Sequence, residues 1–332
     1  MSQFELTADQ REALGRINLP AIEDARKRTS KYYTRTPLYP SKTLSLKSGI
    51  DSYLKLECYQ PIRVFKIRGA LNKILRLADS DSKKSLVTFS AGNHGLAVAY
   101  VSNMVGMEAT IIVPETANEA KVRAISEYEN VKLIKHGKNV LDLATRAQTI
   151  VEKEGAVLVH PFGEPDVICG QGTIGLEITE DLPDADYVLV PIGGGGLISG
   201  IATAIKAKKL HPTKIIGVCA EGAPAVYRSY TERKIVPTAT NTIADGMAAS
   251  TTVPLNLRLM LDLVDEMVLV NDNEIREAMR FVLNELHIMV EPSGAAPVAA
   301  ILHKKLPFGR GKVVSVISGG NANPALLSEI LR

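Results

Sequence analysis

Tyr187-Val188-Leu189-Val190-Pro191-Ile192-Gly193-Gly194-Gly195-Gly196-Leu197 is an apolar run that ends in four consecutive glycines. Its length and its β-favouring residues predict a buried strand over 187–192, and the spacing beyond Leu197 predicts a helix over 197–210. Strand, tight loop and helix are the repeating unit of a parallel sheet. Four glycines in a row lose much backbone entropy on folding, which makes them a costly way to build an ordinary turn. Their amides can wrap a phosphate at the helix start. The run matches neither the Gly-x-Gly-x-x-Gly fingerprint of an early βαβ unit nor a loop ending in Gly-Lys-Ser/Thr, so it suits a phosphate without a nucleotide.

The same rhythm extends both ways. Short apolar strands are predicted over 86–90, 109–113, 131–135 and 156–160, with helices opening near Asn93, Asn118 and Asn139. A second series places strands over 187–192, 214–220, 266–270 and 313–317, with helices over 167–181, 197–210, 272–285 and 294–303. Upstream, residues 36–40 read as an edge strand or turn, 52–57 as an alternating strand, and the segment up to about Lys31 as an outer helix. No Pro-, Gly- or Ser-rich linker, internal repeat or low-complexity tract interrupts the chain. The prediction is an α/β protein with two parallel-sheet units. In open parallel sheets ligands bind where loops leave the carboxyl ends of the strands, so the segments just after strands are the candidates.

Lys66 stands out in Val64-Phe65-Lys66-Ile67-Arg68-Gly69-Ala70-Leu71, near a predicted helix start and among apolar neighbours. Most lysines are solvated surface charges. A buried one loses its ammonium form more readily, by up to ~3–5 pKa units, and a neutral amine can attack a carbonyl or accept a proton. Ser90-Ala91-Gly92-Asn93-His94-Gly95 follows one strand and opens a helix, where free amides suit a carboxylate or phosphate. A capped turn accounts for it equally well. Ser318-Gly319-Gly320-Asn321 ends the last strand, its serine either a turn residue or a hydroxyl for a ring nitrogen. Glu291-Pro292-Ser293-Gly294-Ala295 and Thr242-Ile243-Ala244-Asp245-Gly246 read as loops before helices.

Composition narrows the class. The 332 residues amount to about two domains, and a net charge of +3 with interspersed signs offers no basic stripe for nucleic acid and no polybasic membrane segment. No stretch is long and apolar enough to span a bilayer, and the amino terminus lacks the pattern of a signal peptide, so the expected location is cytoplasmic. Cys58, Cys169 and Cys219 are scattered, without disulfide or zinc spacing. No metal site is expected from ligand spacing around His94.

Taken in order, Phe-Lys-Ile-Arg-Gly-Ala, Ser-Ala-Gly-Asn-His-Gly, Gly170-Gln171-Gly172-Thr173-Ile174-Gly175-Leu176-Glu177, the four glycines and Ser-Gly-Gly-Asn resemble the pyridoxal-phosphate-dependent serine/threonine dehydratase family, which includes the serine racemases. The resemblance runs from about Thr34 to Asn321. It implies the tryptophan-synthase-β-like fold, PLP fold type II. A large domain of residues 1–84 and 162–332 would bind the cofactor, and a small domain of residues 85–161 would carry the substrate-carboxylate loop. Lys66 resembles the Schiff-base lysine and Phe65 the residue on the cofactor ring. Gly193, Gly194, Gly195, Gly196 and Leu197 resemble the phosphate cup, Asn93 the partner of the ring hydroxyl, and Ser318 the partner of the pyridine nitrogen. Ser90, Ala91, Gly92, Asn93 and His94 match the loop that receives the substrate carboxylate.

The implied activity is dehydration and deamination of L-threonine to 2-oxobutanoate and ammonia, with L-serine to pyruvate as a secondary reaction. Racemases of the family carry serine where this chain has Ala91, and alanine cannot exchange a proton. Phe162 in His160-Pro161-Phe162-Gly163 stands where the racemases have a substrate-contacting asparagine, and an apolar ring tolerates the threonine methyl. Tyr227 replaces the second acid of the racemase metal site, whose first acid and carbonyl match Glu221 and Ala225. No acidic side chain among the matched blocks is placed to protonate the leaving hydroxyl, which leaves that role to the cofactor phosphate. The resemblance also implies a small amino-acid substrate and a homo-oligomer, dimer or tetramer. Serine racemase, or dehydration of another β-hydroxy amino acid, is the alternative within the family. A non-catalytic protein binding the cofactor or a nucleotide is the alternative of another class.

Overall fold

The computed structural model describes residues 5–80, 84–90, 92–117 and 119–331. Ten strands form two sheets among them. They are β1 (Leu38–Pro40), β2 (Asp51–Leu56), β3 (Leu86–Phe89), β4 (Ala109–Val113), β5 (Val131–Lys135), β6 (Val157–Leu158), β7 (Tyr187–Pro191), β8 (Lys214–Ala220), β9 (Glu266–Val270) and β10 (Lys312–Ile317). The larger sheet has the order β1-β2-β10-β7-β8-β9 and the smaller β5-β4-β3-β6. Only the edge pair β1 and β2 is antiparallel; every other pairing is parallel. Parallel strands need both faces covered, which explains why β7, β8 and β10 are buried almost end to end.

Two differences from the sequence expectation have local causes. The outer helix is two helices, Ala8–Gly15 and Leu19–Thr29, because Asn18 takes an extended backbone and caps the second by accepting from the Ala21 amide. The strand expected over 156–160 shortens to β6, since the Val159 carbonyl is taken by the Thr88 hydroxyl at 2.7 Å and the His94 ring at 3.0 Å. Pro161, which has no amide to donate, lies just beyond. The helix opening expected at Asn118 falls on a residue outside those described.

The helix Pro165–Asp181 carries the Gly170 to Glu177 block and is buried from Asp166 to Thr179. It packs between the helices Lys66–Ala78 and Gly196–Lys208. A Cβ on Gly170 would stand 2.5 Å from the Arg68 carbonyl, so the backbones meet there with no room for a side chain. This block therefore holds the lysine helix in place. No helix is long and apolar enough to cross a membrane among the described residues.

Candidate active site

Lys66 is the first residue of the helix Lys66–Ala78. Phe65 precedes it, and the Phe65 amide donates to the Ser318 carbonyl at 3.0 Å, tying the lysine block to the end of β10. The Lys66 amine donates to the Pro161 carbonyl at 2.7 Å and lies 5.2 Å from the centre of the Phe65 ring. Burial lowers its pKa to about 8, against a smaller opposing pull from the Glu291 carboxylate. In the cofactor-free chain, Lys66 is therefore expected to acylate with a pH midpoint near 8, while exposed lysines require pH above about 10. Residue-resolved labelling by mass spectrometry checks this, and a Lys66 midpoint at or above about 10 would count against a desolvated amine.

The glycine loop lies between β7 and the helix Gly196–Lys208. Gly195 sits at φ +96°, and a Cβ on Gly194 would stand 2.4 Å from the Phe162 ring. A Cβ on Gly193 would come as close, 2.4 Å, to the Gly246 carbonyl. Glycine lets the loop settle between Phe162 and Gly246, with Leu197 buried beyond it. Among the described residues, the amides from Gly193 to Ile198 donate to no protein acceptor. A row of unpaired N–H groups at a helix start favours an anion.

Among the described residues, the amides of Asn93, His94 and Gly95, at the start of the helix Asn93–Val105, likewise have no acceptor. The Ser90 hydroxyl caps this turn by accepting from the Gly92 amide at 3.2 Å. Ala91 lies outside the described residues. The Asn93 side chain donates to both carboxylate oxygens of Glu291 at 2.9 Å, and its own oxygen accepts from Asn321 at 3.0 Å. Asn93 is thus held by two neighbours from other loops. Ser318 is buried, and its hydroxyl has no protein partner among the described residues.

Two histidines flank the amine without adding charge. Burial, and then the field of Lys66, lower the pKa of His94 to about 3 and that of His160 to about 4. His94 Nε2 faces a carbonyl, so it carries the proton and donates to Val159. His160 Nδ1 accepts from the Phe162 amide at 3.2 Å and the Gly163 amide at 2.8 Å, so its proton is on Nε2. That acceptor shapes the Pro161 turn, whose carbonyl holds Lys66. The ring of Phe162 stands edge-on to His160, with centres 4.8 Å apart.

Among the described candidates, Lys66 bonds the turn that carries Phe162, Gly194 abuts the Phe162 ring, Phe65 bonds Ser318, and Asn93 bonds Glu291 and Asn321. Sequence reasoning passed over Glu291, Asn256, Thr252 and the structural use of His160. Glu291, read from the sequence only as part of a loop before a helix, puts a buried carboxylate beside Asn93. Its place at a Pro-Ser-Gly helix start was visible, but its partner Asn93 is remote in sequence. Cys58, Cys169 and Cys219 are all buried, and burial pushes each thiol up to about 12. Among the described residues no group of three His, Cys, Asp or Glu side chains could hold a metal ion.

A desolvated lysine, together with a row of amides that are unpaired among the described residues, fits a small aldehyde that carries a phosphate. The model of the pyridoxal-phosphate-dependent enzyme family matches residues 29–319. An L-threonine ammonia-lyase of Thermotoga maritima is 42% identical over 318 residues, covering 95% of this chain and 78% of that protein. The catabolic L-threonine dehydratase of Escherichia coli K12 is 39% identical over 318 residues, covering 95% of this chain and 96% of that one. The structure of maize serine racemase superposes with a TM-score of 0.89 at 36% identity, over 95% of this chain and 96% of that chain. The two α/β units are those of PLP fold type II, as the resemblance implied. With the family model spanning most of the chain and a cleft that suits its cofactor, this protein belongs to the pyridoxal-phosphate-dependent enzymes and uses pyridoxal 5′-phosphate.

Proposed function

We propose that the protein is an L-threonine ammonia-lyase that converts L-threonine to 2-oxobutanoate and ammonia, with L-serine as a slower substrate giving pyruvate. The observation that carries this reading is the desolvated Lys66 amine, held by the Pro161 carbonyl. The names of the relatives in Thermotoga maritima and Escherichia coli support the substrate. When bound, the cofactor withdraws electrons from the substrate α-carbon and so acidifies its proton. Lys66 accepts that proton at Nζ, and its lowered pKa keeps a neutral fraction available near neutral pH. The amides of Asn93, His94 and Gly95 would hold the substrate carboxylate, and those of Gly193 to Ile198 would hold the cofactor phosphate. Ser318 would offer a neutral hydroxyl to the cofactor's ring nitrogen. The reaction is balanced: water leaves from the β-carbon and returns on hydrolysis as ammonia is released. The same reading carries the large and small domains of residues 1–84 with 162–332 and 85–161, a cytoplasmic location and a homo-oligomer.

Serine racemase is the second reading, favoured by the maize structure. Ala91 weighs against it, because alanine offers no acid on the opposite face of the substrate.

Release of 2-oxo acids from equal concentrations of L-threonine and L-serine tests the proposal. Faster 2-oxobutanoate formation is expected; pyruvate alone, or no oxo acid, would overturn the substrate assignment. Phe162→Ala is expected to narrow the preference for threonine by roughly tenfold in kcat/KM, the scale of one apolar contact. An unchanged ratio would mean that the ring serves only to pack against Gly194 and His160.

A further inference from the structure

Outside the segments that the sequence singles out, one polar side chain touches both loops that frame Lys66. Asn256 lies in the first turn of the helix Pro254–Leu263 and is fully buried. Its Nδ2 donates to the Gly194 carbonyl at 2.8 Å and to the Phe162 carbonyl at 3.0 Å. Both partners can only accept, which fixes the amide orientation. The Thr252 hydroxyl donates to the same Gly194 carbonyl at 3.0 Å. Two donors use both lone pairs of that oxygen.

A trans peptide is planar, so the Gly194 carbonyl and the Gly195 amide point in opposite directions. Holding the carbonyl toward Asn256 aims the Gly195 N–H the other way, into the row of free amides. Without such a hold, a run of four glycines has little to resist rotation of that peptide, since glycine occupies positive and negative φ with similar ease. The second bond, to Phe162, ties the loop to the turn whose Pro161 carbonyl receives Lys66.

We propose that Asn256 is a positioning residue that sets the Gly194–Gly195 peptide for phosphate binding and couples the glycine loop to the turn holding Lys66. The proposal rests on the reading of the glycine loop as the phosphate cup. Asn256 acts through the backbone and touches neither cofactor nor substrate. Among the described residues the Asn256 Oδ1 has no hydrogen-bond partner, so the donor end of the side chain does the holding. Asn256→Asp, which keeps the shape but supplies only acceptors, should therefore be more harmful than Asn256→Ala.

The test uses the full chain freed of cofactor and titrated with two probes. One is 4′-deoxypyridoxine 5′-phosphate, which has the phosphate but no aldehyde to react with Lys66; the other is pyridoxine, which lacks the phosphate. The wild-type chain should bind the phosphorylated probe much more tightly. Asn256→Ala should weaken that probe by about tenfold, the equivalent of one lost hydrogen bond, and leave pyridoxine unchanged. Asn256→Asp should weaken it further. Thr252→Val, which removes the other donor to the same carbonyl, should shift binding in the same sense and serves if the Asn256 variants fail to fold. Variants that bind the phosphorylated probe as the wild type does would overturn the proposal. Equal weakening of both probes would overturn it too, by reducing Asn256 to a general packing role. A wild-type chain indifferent to the phosphate would instead remove the reading of the cup itself, and that result is visible without any variant.

Discussion

Lys66→Ala is expected to leave the chain folded and to lower turnover of L-threonine by at least ~10³-fold, the range lost with a positioned proton acceptor. Alanine is the best helix former and starts the helix Lys66–Ala78 without strain. The amine makes one hydrogen bond, to Pro161, against the cost of desolvating its charge. Stability should therefore not fall. In the cofactor-free chain the sign of the pH effect follows from linkage. The unfolded amine keeps its proton up to its ordinary value of 10.5, whereas the folded one releases it at about 8. Between those values the unfolded state binds more protons, so the wild type gains stability as pH rises through the window. The burial cost is fully present below it, and there the alanine variant should melt higher than the wild type. Borohydride treatment offers a readout independent of turnover: it should fix cofactor on the wild-type lysine and not on the variant. A folded alanine variant that still releases 2-oxobutanoate at a wild-type rate would remove Lys66 from the chemistry.

Arg68→Leu is expected to cost about 3–5 kcal/mol of folding stability, because it leaves buried carboxylates without their partner. Arg68 is fully buried two residues beyond Lys66. Its guanidinium bonds Glu57 at 2.8 and 2.7 Å, Glu177 at 2.6 and 2.9 Å, and the Thr173 hydroxyl at 3.1 Å. Lys55 completes the group, reaching Glu177 at 2.6 Å and the Thr36 carbonyl at 2.7 Å. Burial works against the charge on Arg68, but the fields of Glu57 and Glu177 outweigh it and hold its pKa above the ordinary value. Within this quartet, two cations face two anions. Removing Arg68 leaves Lys55 alone against Glu57 and Glu177, in a region that water does not reach. Arg68→Lys keeps the charge but cannot bond two carboxylates bidentately, and should fall between the wild type and the leucine variant. Urea unfolding measures the losses. A leucine variant within about 1 kcal/mol of the wild type would mean that the quartet is replaceable by apolar packing.

Local pattern was enough for β4, β5, β8 and β9, whose bounds match the expected ranges residue for residue. Each is an apolar-rich run stopped by turn-forming residues, and a strand's existence depends mainly on such short-range features. The loops at the carboxyl ends of β3, β7 and β10 were legible for the same reason: each follows a strand run, and parallel topology puts such ends on one side of each sheet. The helices Lys42–Ser48, Ala225–Glu232 and Pro254–Leu263 were not legible, being short and lacking a long periodic face. Lys55 and Glu57 misled in a different way. In 52–57 they look like the solvated half of an alternating strand, yet both are buried.

The sequence by itself determined the α/β rhythm, the glycine loop after β7 and an amine among apolar neighbours, because these depend on residues adjacent in the chain. Only the tertiary structure decided which charges are buried, which carboxylate holds Asn93, and which amide pins the Gly194 peptide. Arg68 meets Glu57 and Glu177, Asn93 meets Glu291, and Asn256 meets Gly194 and Phe162. Apart from the first of these, such partners lie far apart along the chain. A polar group's cost or gain is set by whoever stands within about 3 Å of it, and that neighbour is known only once the chain has folded.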